Sequence, residues 1–145
     1  MINLELSQQL SKAVKARANE CYANAYRGFT KYPQALYVGG MVAGVNDCAQ
    51  VFSIEHAWLI VDGKIIEPTY CDLESPCSKI IDEGMYRPAL VLAYFPIVQV
   101  KRKEAEQFAR KYRKPYWMKF LFADTYQEAY EQASVDAYQF LAGLR

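Results

Sequence analysis

The spacing of apolar positions changes along the chain, and each change marks an element. From Glu5 to Arg17, Leu6, Leu10 and Val14 recur four apart with Ala13 and Ala16 beside them, which predicts an amphipathic helix. A second helix is expected from about Asn19, a residue suited to an N-cap, through Cys21-Tyr22-Ala23-Asn24-Ala25-Tyr26. Gly28 and then Tyr32-Pro33 should end it; one helix running on through Ala18 is the alternative. Ala35 to Gly44 reads as a strand whose glycines signal a bulge or the close approach of another backbone. Val45 to Gln50 is a polar connection. Phe52 to Val61 and Lys64 to Glu67 then flank Asp62-Gly63, a strong hairpin signal because both turn residues tolerate positive φ. Pro68 cannot donate to a ladder and should stop the second arm.

Beyond the hairpin, Thr69 to Gly84 is a long irregular segment. Pro88 to Phe95 is a continuous apolar run, expected to be a central strand closed by Pro96, with Ile97 to Val100 either extending it or turning away. Lys103 to Tyr112 is amphipathic and helical. Pro115 to Phe122 is aromatic-rich, a short strand or a hydrophobic flap. Thr125 to Leu144 reads as a last helix, with Thr125 and Glu128 in capping-box positions and Gly143 at its stop. Its apolar stripe is Tyr126, Ala129, Tyr130, Ala133, Ala137, Phe140 and Leu141. This order predicts one α+β domain over residues 1–145, with N-terminal helices packed on a small antiparallel sheet and C-terminal helices added.

Composition narrows the function classes. Apolar residues make up 52% of the chain, enough to build a core and exclude a disordered polymer. A net charge of +1 gives no global field for nucleic acid or a membrane surface. The basic residues of Lys101-Arg102-Lys103 and Arg110 to Lys114 read as a solvated helix face. No apolar run reaches the roughly 20 residues of a membrane span. Met1-Ile2-Asn3-Leu4-Glu5 lacks the basic flank and apolar core of a signal peptide, so a cytoplasmic protein with reduced thiols is expected. Cys21, Cys48, Cys71 and Cys77 lack paired close spacing, so neither a disulfide framework nor a metal site is expected; a zinc site using His56 is the weak alternative. No organic cofactor is implied.

The hairpin register brings chemistry together. With Asp62-Gly63 as the loop, Val61 faces Lys64, Ile60 faces Ile65 and Trp58 faces Glu67. His56 is then diagonal to Glu67, roughly 7–8 Å between backbones and within side-chain reach. An imidazole held by a carboxylate is the base and orienter of a triad. Cys21, in the first turn of its helix, is the candidate nucleophile: unpaired N–H groups and the positive end of the dipole favour a thiolate there. The same N–H groups can stabilise an oxyanion. Each residue also has an ordinary reading: a small buried cysteine, a satisfied core histidine, a core tryptophan at position 58.

Taken together, Cys21-Tyr22-Ala23-Asn24-Ala25, Tyr37-Val38-Gly39-Gly40, Glu55-His56-Ala57-Trp58 and Glu67-Pro68-Thr69 resemble the papain-like cysteine superfamily. The resemblance is closest to its transglutaminase-like branch, with the pattern Cys…Tyr-Val-x-Gly…His-Ala-Trp…Asp-Pro-Thr; the small NlpC/P60-type peptidases share the order of Cys, His and a polar third residue. It covers about positions 19–70 and the strand at 88–96, and implies a papain-like core. It implies Cys21 as nucleophile, His56 as base and then acid, and Glu67 as the group that holds the imidazole tautomer. Where the pattern has Asp this chain has Glu67, one methylene longer. Papain-type enzymes place a Gln six residues before the nucleophile, and Lys15 stands there. The oxyanion candidates are the Cys21 backbone N–H and the side chains of Asn19, Asn24 and Gln50, with Tyr22 lining the cleft and Trp58 packed beneath it. The implied activity is hydrolysis or transfer of a peptide or glutamine-type amide of a peptide or protein substrate, through a thioester. A catalytically inactive papain-like fold that binds proteins or peptides is the alternative, a thiol-dependent acyltransferase a third reading, and a metal-binding protein the last.

Overall fold

In the computed structural model, which describes residues 2–17, 20–46, 51–69, 89–113 and 123–143, the elements run α1 (Leu4–Val14), α2 (Cys21–Phe29), β1 (Leu36–Asn46), β2 (Val51–Val61), β3 (Lys64–Ile66), β4 (Ala89–Val100), α3 (Arg102–Tyr112) and α4 (Ala123–Ala142). The Asn19, Gln50, Cys48, Cys71 and Cys77 readings, most of the 69–84 segment and the 115–122 stretch lie outside the described residues.

The order of elements is the one the apolar spacing predicts. Asp62 and Gly63 take φ of 49° and 72°, the two positive values that a two-residue loop matching strand twist requires. Val61 pairs with Lys64, Ile60 with Ile65 and Leu59 with Ile66, where the ladder ends one residue before Glu67. The described sheet is antiparallel throughout, with strand order β3-β2-β1-β4. β1 is central: Gly40 lies opposite His56 on one side and Pro96 on the other.

Alternation along β1 sorts the core into two layers. Tyr37, Met41 and Ala43 face the helices; Val38 and Val42 face the other way. On the helical face, Leu10 and Val14 of α1, Ala25 and Phe29 of α2 and Ala105 of α3 pack with Tyr37, Ala57 and Leu59. Ala133 and Ala137 of α4 pack with Met41 and Ala43 beside Phe95. On the opposite face, Trp58, Val38 and Val42 are buried with Leu36, Phe52, Ile60, Ile65 and Tyr94 around them. Gly40 is what lets the indole lie across this face. A Cβ there would stand 2.7 Å from the Trp58 ring and 2.3 Å from the Phe95 carbonyl oxygen, so the position admits only glycine without movement of backbone.

Five details differ from the sequence expectation. The N-cap of α2 is Glu20, not Asn19. Gly28 lies inside α2 rather than ending it; it is buried, and a Cβ there would meet Leu10 of α1 at 2.6 Å. Pro96 does not close β4; the strand continues to Val100, and a register shift beside Gly39 and Gly40 absorbs the missing N–H. β4 is the outermost strand of the described sheet, not a central one. α4 begins at Ala123, so Thr125 and Glu128 sit within the helix and form no cap. Among the described residues no helix is long and apolar enough to cross a membrane.

Candidate active site

The site is assembled where the β3 ladder stops. β3 is three residues long while β2 runs back to Val51, so His56 lies past the last paired rung. Pro68 follows at once and has no N–H with which to extend the pairing. Past this point α2 packs against β2, bringing its N-terminal turn to the strand.

Several bonds fix that turn. Asn24 is fully buried. Its side-chain oxygen accepts from the Arg17 N–H at 3.0 Å and from Arg27 Nη2 at 2.6 Å. Its amide nitrogen donates to the Arg17 carbonyl at 2.7 Å and to Thr69 Oγ1 at 3.1 Å. Both amide protons are thus committed, and Asn24 is a staple between α2 and the segment after β3, not an oxyanion donor. From the sheet, the Tyr37 hydroxyl donates to the Tyr22 carbonyl at 3.1 Å, tying the residue after Cys21 to β1. The Glu20 carboxylate makes no side-chain cap; it turns to Arg27 at 3.2 Å and Arg17 at 3.6 Å. The first intrahelical donor of the turn is Asn24 N–H to the Glu20 carbonyl at 2.7 Å. The N–H groups of Cys21, Tyr22 and Ala23 precede it and point out of the helix end.

Glu67 is clamped on every side. Its N–H donates to Ser7 Oγ at 2.9 Å, and Ser7 in turn donates to the Asn3 carbonyl at 2.6 Å, which ties the residue to the start of α1. Oε1 accepts from the Thr69 N–H at 2.8 Å. Oε2 meets His56 Nε2 at 2.7 Å and accepts from the Tyr94 hydroxyl at 3.2 Å. His56 and Glu67 are 0% and 1% exposed. The extra methylene of Glu67 relative to Asp is therefore accommodated: the carboxylate reaches the ring at charge-assisted hydrogen-bond distance. Trp58 lies nearly parallel to the imidazole with centroids 6.4 Å apart, and Tyr94 stands edge-on to Trp58 at 5.0 Å.

Burial is the largest influence on the His56 ring and acts against its charged form. The Glu67 charge, hydrogen bonding with Cys21 and Glu67, and the charge on Cys21 together outweigh it and raise the pKa from 6.5 to about 10. Cys21 is therefore among the groups that act on the ring, beside the carboxylate. With Nε2 held by Glu67, Nδ1 is the ring's second, buried nitrogen. Cys21 itself is partly exposed.

The structure thus brings Cys21, His56, Glu67 and Trp58 to one place, with Tyr22 beside them. Lys15 is the exposed, left-handed C-cap of α1 with φ 50°, and contributes nothing to the site. Ser7 and Tyr94 complete the site without having been singled out from the sequence, and Thr69, read there only as the end of the Glu67-Pro68-Thr69 motif, gains a role in it. Face alternation marks Tyr94 as inward or outward only once the strand order is known. Ser7 carries no signal beyond its place in the first turn of α1. Among the described residues no group of three His, Cys, Asp or Glu side chains is placed to hold a metal ion. No family model matches the chain, and neither a curated protein nor a solved structure does.

Proposed function

We propose that the protein is a cysteine-nucleophile acyl-transfer enzyme with a papain-like core, hydrolysing or transferring an amide through a thioester. The observation that carries this reading is the buried imidazole held by Glu67 at 2.7 Å, with the partly exposed Cys21 among the groups that favour its protonation. A cysteine, a histidine and a carboxylate in that sequence of contacts have the roles of nucleophile, base and orienter.

The reaction follows from the contacts. The Cys21 proton passes to His56, and the thiolate attacks the amide carbonyl carbon. Outward-facing N–H groups of the first α2 turn stabilise the oxyanion, since no side chain of Glu20 occupies them. The C–N bond then breaks, and the imidazolium delivers its proton to the departing amine. Water, or a second amine, gives its proton to His56 as it attacks the thioester carbonyl; the C–S bond breaks and the proton returns to sulfur. Glu67 keeps the ring in the tautomer that presents Nδ1 to the thiol, and balances its charge each time it is protonated.

Two measurements test this. Iodoacetamide at about pH 6 should alkylate Cys21 much faster than Cys48, Cys71 or Cys77 by peptide mapping, because an ordinary thiol is protonated there. p-Nitrophenyl acetate should release p-nitrophenol in a stoichiometric burst and leave an acetyl group on Cys21, lost in Cys21→Ser. Equal alkylation of the four thiols would overturn the reading. Fast alkylation without acyl transfer would leave a binding module built on the same cleft.

A further inference from the structure

The neighbours of the two reacting residues form a second cluster. Tyr22 follows Cys21, and Glu55 precedes His56 on the helical face of the sheet, opposite Met41. α4 reaches this point. The Tyr126 hydroxyl donates to Glu55 Oε1 at 3.5 Å, and the Tyr126 and Tyr130 rings stack with centroids 6.1 Å apart. Tyr22 and Tyr126 both pack against the same core cluster as Ala57. The phenols feel the carboxylate: after burial, the Glu55 charge is the next cause holding both the Tyr22 and Tyr126 hydroxyls protonated, with Tyr126 raised to about 12. Cys21 is a further cause at Tyr22, the residue that follows it in the first turn of α2 and through which the cluster adjoins the thiol.

Among the described residues this cluster holds no cation. Glu55 is exposed, and among the described residues the Tyr126 hydroxyl is its one hydrogen-bond partner and no Lys, Arg or His forms an ion pair with it. The other carboxylate at this end of α2, Glu20, holds two arginines. An unpaired carboxylate rimmed by phenol rings attracts an ammonium or guanidinium by charge and by the ring faces at once, and repels a carboxylate. We infer that Glu55, with Tyr22, Tyr126 and Tyr130, forms a subsite beside Cys21 for a cationic group of the substrate, a primary ammonium or a guanidinium. This rests on the reading of Cys21 as nucleophile.

Methanethiosulfonates of different charge separate the two ideas. In each, the Cys21 thiolate attacks the sulfenyl sulfur, the reagent S–S bond breaks and methanesulfinate leaves. The rate of the neutral methyl reagent at Cys21, against the other thiols, tests the nucleophile alone. The ratio of the 2-aminoethyl to the methyl reagent tests the subsite. That ratio should exceed one, be reversed for the 2-sulfonatoethyl reagent, and fall about two- to fivefold in Glu55→Gln, the size of one exposed charge pair. Asp62→Asn removes the same charge at the far end of the strand and should leave the ratio in place. A ratio unmoved by Glu55→Gln, or lowered as much by Asp62→Asn, would overturn the subsite while leaving the nucleophile standing. A Cys21 that reacts no faster than the other thiols with the neutral reagent would remove both.

Discussion

Glu67→Gln tests the buried pair in the most direct way, because it keeps the shape and removes the charge. Among the described residues the carboxylate accepts from His56 Nε2 at 2.7 Å, Thr69 N–H at 2.8 Å and Tyr94 hydroxyl at 3.2 Å. An amide has one acceptor oxygen. If that oxygen faces His56 and Tyr94, its NH2 faces the Thr69 N–H, donor against donor; if the amide flips, the ring loses its acceptor. Either way one buried N–H is left unsatisfied, a loss of roughly 1–3 kcal/mol.

The charge adds a pH-dependent part. In the wild type the folded His56 pKa is about 10, above its ordinary 6.5. A raised value in the folded state means the protonated ring favours folding. That contribution is complete below about pH 6.5 and is lost as pH climbs through about 10. Without Glu67, burial is opposed only by Cys21, and the pKa falls. The variant should therefore be less stable by roughly 3–5 kcal/mol at about pH 6, the range for breaking a buried pair. The gap should narrow to about 1–3 kcal/mol near pH 10, where the hydrogen-bond part alone is left. Urea unfolding midpoints of both proteins across that range measure it, with m unchanged as the check that the same surface unfolds. A gap that stays constant from low to high pH would refute the protonated, carboxylate-paired ring.

Three further outcomes follow from the same contacts. Tyr94→Phe keeps the ring against Trp58 but removes the donor to Glu67; urea unfolding should show a loss of about 1 kcal/mol, and Cys21 alkylation should slow as the carboxylate loses one of its restraints. Gly40→Ala puts a methyl 2.3 Å from the Phe95 carbonyl oxygen and 2.7 Å from Trp58; thermal unfolding should fall by at least the 1–3 kcal/mol typical of overpacking. Asn24→Ala deletes the bonds that hold Arg17 and Thr69 to α2; it should destabilise by roughly 1–3 kcal/mol in urea and slow iodoacetamide at Cys21 more than at an unfolded cysteine peptide.

How far the sequence could be read depended on the range of each contact. The hairpin was legible because Asp62-Gly63 fixes both turn geometry and register, and the diagonal from His56 to Glu67 follows from that register alone. Helix positions followed from apolar spacing, but their ends did not: Thr125 with Glu128 makes a capping pattern that also occurs within a helix, and Ala123 opens α4. β4 misled for a physical reason. A continuous apolar run reports burial on both faces, not a central place in the sheet. Phe95 meets Phe140 of α4 on one side while Tyr94 meets Trp58 on the other, so the outermost described strand is apolar from Ala89 to Val98. Tyr94 stayed hidden because its approach to Glu67 depends on β4 pairing with β1, which no local pattern encodes.

The convergence of Cys21 on His56 depends on how short β3 is. Had the ladder continued past Leu59 and Ile66, the flank of β2 beside His56 would carry another strand, and the tip of α2 could not reach the imidazole. Pro68 ends that possibility chemically, since it offers no N–H, and the chain uses the turn that follows to bind the same helix: Thr69 donates its N–H to Glu67 and accepts from Asn24. The residue that holds the ring and the residue that anchors the helix of Cys21 are thus joined through Thr69. Glu67-Pro68-Thr69 is one device with three tasks: it supplies the carboxylate, stops the sheet, and docks the helix end that carries the thiol.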